Sequence, residues 1–179
     1  MKRLAAVIRL LVGLGLAGTA GAGKAADLFG GLHSHDVDTV LTKGGFERGV
    51  DFQIGWRGEP MAALQVIGAP APHVFISVNS AGDTNFAAAG VSWKIGRTLY
   101  LRPGVGIAIH DRPSRAVADG QRIDFGSRIL FEPELGIGYR LSDRVSLEAS
   151  WIHLSHAQLF SRQNPGLDNF GVRLNYRFR

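Results

Sequence analysis

Ile129-Leu130-Phe131-Glu132-Pro133-Glu134-Leu135-Gly136-Ile137-Gly138-Tyr139-Arg140 is the stretch that decides the fold. Ile129, Phe131, Leu135, Ile137 and Tyr139 fall on one parity; Glu132, Glu134, Gly136, Gly138 and Arg140 fall on the other. Successive side chains of a strand point to opposite faces, so this period of two predicts a long strand with one apolar and one polar face. Working outward, Val50 to Arg57, Leu99 to His110, Val145 to Trp151 and Phe170 to Phe178 repeat the pattern, with turn signals between them. Asp27 to His35, His73 to Asn79 and Asn85 to Ile95 carry it more weakly, and the total is eight strands.

Alternation alone also suits a soluble sandwich, which buries the apolar faces between two sheets. The polar face separates the two. Asp51, Arg57, Arg102, Glu132, Glu134, Arg140, Glu148, Arg173 and Arg177 sit among glycines, and the chain of 179 residues holds 24 Gly, well above the ordinary share of about 7%. In a narrow barrel, small residues and charged pairs fill the interior while the aromatic-rich face meets lipid. Strands of about 9–11 residues suffice to cross a membrane, and closure pairs every edge. The expected fold is therefore all-β, an eight-stranded antiparallel transmembrane β-barrel. The absence of Cys excludes a disulfide framework, a thiol nucleophile and a Cys-ligated zinc, and the length leaves no room for a second enzyme module.

Met1 to Ala22 has the layout of a secretory signal: Lys2, Arg3 and Arg9, an apolar core from Leu10 to Ala17, then Ala20-Gly21-Ala22 as the cleavage site, with Ala25 as a later alternative. The barrel domain is then 23–179. Loss of the signal's three cations takes much of the formal charge of +5 with it, and with that the argument for a nucleic-acid partner. Ile95 to Thr98 and Leu141 to Arg144 read as tight turns, Asp111 to Phe125 and His156 to Leu167 as long polar loops. Outer-membrane barrels keep short turns on the periplasmic side and long loops outside. Glu59 to Ala71 is the exception, a longish connection that strand counting puts on the periplasmic side.

Chemistry is signalled where the outward parity stops being apolar. Val145, Leu147, Ala149 and Trp151 continue to His153 and Ser155, and Phe178, Tyr176, Leu174, Val172 and Phe170 continue backwards to Asp168. All three polar residues fall on the lipid-facing parity at the loop end of neighbouring strands. Positions i and i+2 share a face about 6.5–7 Å apart, and cross-strand neighbours lie about 4.5–5.5 Å apart. A Ser-His-acid triad needs that neighbourhood: Ser155 as nucleophile, His153 as base, Asp168 as the acid that orients the imidazole. The alternative is that His153 and Ser155 lie at headgroup level and Asp168 caps the turn after Asn164-Pro165-Gly166.

His153-Leu154-Ser155-His156-Ala157, then Asn164-Pro165-Gly166-Leu167-Asp168 and a last strand ending Tyr176-Arg177-Phe178, resembles the PagL group of outer-membrane lipid A 3-O-deacylases. The resemblance implies an eight-stranded barrel with a His-x-Ser motif on the penultimate strand and an acid on the last, hydrolysing the ester that holds the 3-position acyl chain of lipid A. It also implies an oxyanion donor at Asn164, with a backbone N–H near Ala157 or Gln158 beside it. Asp168 stands where the best-known members have Glu, His156 where Asn often follows the serine, and Gln158 where Gly is frequent. Arg162 is a candidate for the lipid A phosphates. No metal or cofactor is called for; the partners are lipopolysaccharide and outer-membrane lipid, and a homodimer is compatible with the chain.

Other patterns weigh less. His33-Ser34-His35 puts two imidazoles on one face without an identifiable third ligand. His110-Asp111 lacks a matching nucleophile. Gly104-Val105-Gly106 and Gly136-Ile137-Gly138 read as barrel interior, since no helix follows them. Against the deacylase stand a structural or adhesive barrel without catalysis, and a barrel phospholipase or acyltransferase with the same Ser-His chemistry.

Overall fold

The computed structural model describes residues 26–42, 46–111, 123–160 and 162–178; the signal reading of Met1 to Ala22 lies outside them. Eight antiparallel strands close into a barrel: β1 Ala26–Ser34, β2 Val50–Arg57, β3 Ala71–Asn79, β4 Phe86–Ser92, β5 Leu99–His110, β6 Ile129–Arg140, β7 Val145–Leu154 and β8 Leu167–Phe178. Each pairs with its chain neighbours, and β1 pairs with β8 from Ala26↔Phe178 to Ser34↔Phe170. Past Ser92, β4 resumes as Ile95–Gly96 in unchanged register against β5. The gap falls opposite Pro103, which accepts from Trp93 N–H at 2.9 Å but has no N–H to return.

Parity governs what faces where. Leu28, Leu32, Phe52, Ile54, Leu101, Ile107, Ile137, Leu147, Val172 and Leu174 lie exposed on the outer wall, while Asp51, Arg57, Arg102, Glu132, Glu134, Glu148 and Arg173 are buried inside. Inside, Arg173 Nη1 donates to Glu134 Oε2 at 2.7 Å and Arg102 Nε to Glu148 Oε2 at 2.8 Å. Arg57 Nη2 lies 3.6 Å from Glu134 Oε1. Charges this deep persist only when paired. The interior glycines make room for them: a Cβ on Gly104 would lie 2.7 Å from Glu134 Cγ, on Gly106 2.6 Å from Glu132 Oε2, and on Gly136 2.6 Å from Glu148 Cδ.

The interior is not only charge and glycine. Phe29, Phe75, Phe86, Phe125, Leu130, Ile152, Leu154 and Leu167 form an apolar cluster, so aromatics are not confined to the lipid face. Phe29 and Phe75 also cover the Arg173 guanidinium, whose Cζ is 4.9 and 5.1 Å from their ring centres. His33 faces inward and hydrogen-bonds Ser150 through Nε2 at 2.9 Å.

The β1–β2, β5–β6 and β7–β8 loops gather at one end of the barrel; the tight turns, the longer connection 58–70 and both described termini lie at the other. The connection 58–70 sits at that turn end as a 3-10 helix, Ala62–Ile67, followed by Gly68 at φ 88°.

Space inside the wall is what the glycines supply, so substituting them separates inner from outer positions. A Cβ on Gly171 would come 2.0 Å from Leu32 O, whereas on outward Gly30 its nearest neighbour lies at 3.7 Å. Gly171→Ala is expected to cost about 1–3 kcal/mol and Gly30→Ala less than about 0.5 kcal/mol, measured by urea unfolding from lipid vesicles.

Candidate functional site

Strands β7 and β8 run in a register that opposes His153 directly to Asp168 and Trp151 to Phe170. His153 Nδ1 lies 2.8 Å from Asp168 Oδ1. A carboxylate only accepts, so Nδ1 carries a proton, and the neutral imidazole bonded this way presents its lone pair at Nε2. Two further groups hold the acid: Trp151 Nε1–H donates to Oδ1 at 2.9 Å, and the Thr39 hydroxyl donates to Oδ2. Both lay beyond the sequence reading. Trp151 shares the outward parity of His153, where an aromatic reads as lipid-facing wall; Thr39 is remote in sequence and sits in a loop without periodicity.

Ser155 follows the end of β7 and bridges to Phe131, donating its N–H to Phe131 O at 3.2 Å and accepting from Phe131 N–H at 2.6 Å. It is half-buried, and its hydroxyl forms no hydrogen bond among the described residues. The structure thus joins His153 to Asp168 and leaves Ser155 two residues further along the same face. Catalytic hydrogen bonds often tighten only with substrate bound.

The chain beyond Ser155 turns sharply. Ala157 and Gln158 adopt left-handed φ of 50° and 60°, which non-glycine residues rarely hold without compensation; a glycine at the Gln158 position would relieve this. Buried His156 compensates, with Nε2–H directed at Phe125 O (2.6 Å) and Gln163 O (2.9 Å). Asn164 Oδ1 accepts the His156 N–H at 3.0 Å. That bond orients the amide, and Asn164 Nδ2 and the N–H groups of Ala157 and Gln158 donate to nothing among the described residues. Arg162 is exposed.

The outward parity of the hairpin is intact, yet its polar side chains are not bare to lipid: Asp168 is fully buried and His153 is 8% exposed. The loop after β1 covers them. Val37 N–H donates to Asp168 O at 2.8 Å, Asp36 N–H to Asn169 Oδ1 at 3.2 Å, and Leu41 O and Thr42 pack against Gly166 beside His153. His35 anchors this loop, 2.9 Å from both Glu47 Oε2 and Asp51 Oδ1. Burial alone would hold its imidazole neutral, but hydrogen bonds and charge from Asp51 and Glu47 outweigh it and raise it to about 9.

The other candidates separate. His33 and His35 engage different partners. His110 Nε2 donates to Ser127 O at 2.7 Å, and Asp111 accepts from Asn85. His73, Glu132 and Glu134 bring ligand atoms within 4.8 Å of one another, but Glu134 is already engaged by Arg173 and Arg57, so a cation there would face two guanidinium groups.

Barrel and loop polarity define an outer-membrane β-barrel protein, and comparison with known proteins supplies the family. Residues 54–177 match the family model for lipid A 3-O-deacylase (PagL). The chain belongs to the PagL family: it is an outer-membrane lipid A deacylase, a hydrolase acting on a lipid of its own membrane. Among solved structures, the outer-membrane enzyme PagL superposes with a TM-score of 0.60 at 16% identity, over 84% of this chain and 98% of the other. Neisserial surface protein A does so with a TM-score of 0.56 at 14% identity, over 88% and 99%. Both are likenesses of fold. No curated protein matches the sequence.

The His35 anchor has a defined pH window. Its folded value, about 9, lies above the ordinary 6.5, so its contribution is complete below about 6.5 and disappears as pH rises through about 9. Tryptic cleavage at Arg48, in this loop, is expected to accelerate across that rise in the parent. In His35→Gln it is expected to be fast throughout; a parent whose cleavage, corrected for trypsin's own pH dependence, stays flat would contradict the anchor.

Proposed function

We propose that the protein is a serine esterase that removes the 3-position acyl chain of lipid A with Ser155, His153 and Asp168. The supporting observation is the 2.8 Å bond from His153 Nδ1 to Asp168, which leaves Nε2 as a base on the outward face shared with Ser155. His153 Nε2 takes the Ser155 hydroxyl proton as Oγ attacks the ester carbonyl. Asp168 stabilises the imidazolium, itself held by Trp151 and Thr39. The tetrahedral oxyanion meets Asn164 Nδ2 with the Ala157 or Gln158 N–H. Collapse breaks the ester C–O bond, and His153 returns the proton to the sugar 3-hydroxyl. Water activated by the same imidazole then releases the fatty acid and frees Ser155.

The setting suits a substrate that never leaves the membrane. Exposed Phe170 beside Trp151 and the stacked pair Phe131–Phe160 offer the acyl chain an apolar wall. The ester linkage lies at headgroup depth, within reach of external water, and Arg162 in the adjoining loop contacts a lipid A phosphate. Met1 to Ala22 serves as the export signal, and the mature chain starts at Gly23 or soon after.

Variants expressed in cells whose lipid A is then weighed by mass spectrometry test this reading. Ser155→Ala and His153→Asn are expected to abolish 3-position deacylation, and Asp168→Asn to slow it about 10³- to 10⁴-fold with the barrel intact. Persisting deacylation in folded Ser155→Ala would refute the nucleophile. Loss of folding in Asp168→Asn would make the acid a structural cap, and phospholipid products with unchanged lipid A would reassign the substrate.

A further inference from the structure

The connection 58–70 is longer than a periplasmic turn requires, and the deacylase reading gives it no task. It is nevertheless tied down: Gly58 N–H donates to Pro72 O at 2.9 Å, Met61 N–H to Pro70 O at 3.0 Å, and Trp93 Nε1–H to Ile67 O at 2.8 Å. Its 3-10 helix buries none of its residues, so it does not complete an apolar core. The two ends of the connection, Gly58 with Pro60 and Gly68 with Ala69, line a cavity of about 490 Å³ at the turn end of the barrel.

Four cations line this cavity, Arg57, Lys94, Arg102 and Arg177, against one carboxylate, Asp27. Arg177 pairs with Asp27 at 3.0 Å, and Glu148 and Glu134 engage Arg102 and Arg57. Lys94 has no carboxylate partner among the described residues; the Tyr100 ring centre lies 3.9 Å from its Nζ. Arg57 Nε, Arg102 Nη2 and the Ser92 hydroxyl find no hydrogen-bond partner among the described residues, although these side chains belong to residues no more than 2% exposed. Buried donors are ordinarily satisfied, and guanidinium N–H groups fit the oxygens of a carboxylate or phosphate.

We infer that the chamber at the ends of the 58–70 connection binds an oxyanion, a phosphate group, through Arg57, Arg102, Ser92 and Lys94. Its source is either free inorganic phosphate or the headgroup of a phospholipid in the periplasmic leaflet. The chamber lies at the opposite end of the barrel from Ser155, so its occupation does not depend on the esterase chemistry.

The test is calorimetric titration of the full barrel in maltoside micelles, at about 0.15 M chloride to screen non-specific attraction. One arm adds inorganic phosphate, the other a short-chain phosphatidylglycerol. Single-site saturation by phosphate assigns the free ion; saturation by the lipid alone assigns the headgroup. Either binding is expected to weaken about tenfold in Lys94→Gln/Ser92→Ala and to stay unchanged in Ser155→Ala. The single variant Lys94→Gln, which breaks no ion pair, carries the test if the double variant does not fold. Saturation by neither probe, or folded variants that bind as tightly as the parent, would overturn the site.

Discussion

Closure of the sheet is the constraint on which everything else rests. In lipid every backbone polar group must find its partner within the protein, and eight strands achieve this only by joining β1 to β8. A closed wall this narrow has two faces with opposite requirements, and each strand serves both by alternating. The inner face carries Arg57, Arg102 and Arg173 against Glu134 and Glu148. The glycines opposite the glutamates are the space in which that pairing takes place.

A filled interior leaves the wall's outside as the place for chemistry on a membrane lipid. There the β7–β8 hairpin breaks the apolar pattern, and the loop after β1 folds over the break. Its residues 35–42 do two things at once. Thr39 supplies a donor to Asp168, and the His35 anchor ties the loop to β2. A shorter acid than the family's usual glutamate is thereby held from three sides by His153, Trp151 and Thr39. In the proposed reaction, lipid would reach the hairpin laterally over exposed Phe170 while the proposed nucleophile stays near external water.

Most of the barrel was legible in the sequence because strands such as β2, β6 and β8 carry clean alternation. The weaker candidates proved to be strands with apolar residues on both faces: in β3, Phe75 points inward between His73 and Ser77 while Val74, Ile76 and Val78 point outward. In the site, His153 and Asp168 followed from parity, since cross-strand register is a local property. Thr39 could not, because its bond to Asp168 spans 129 positions and no periodicity marks a loop. Nor could the duty of His156, whose clamp depends on where Phe125 O arrives. The connection at Glu59 to Ala71 registered as an anomaly of length, and only the cavity its ends line gives that length a physical meaning.

The central claim is that Ser155 is a nucleophile activated by His153 on the outer wall. Treating the folded barrel in lipid vesicles with a lipophilic fluorophosphonate and mapping the adduct by peptide mass spectrometry tests it most directly. The account predicts a single adduct on Ser155, formed slowly or not at all in His153→Asn. Modification of a different residue, or unlabelled Ser155 in a preparation that still deacylates lipid A, would contradict it.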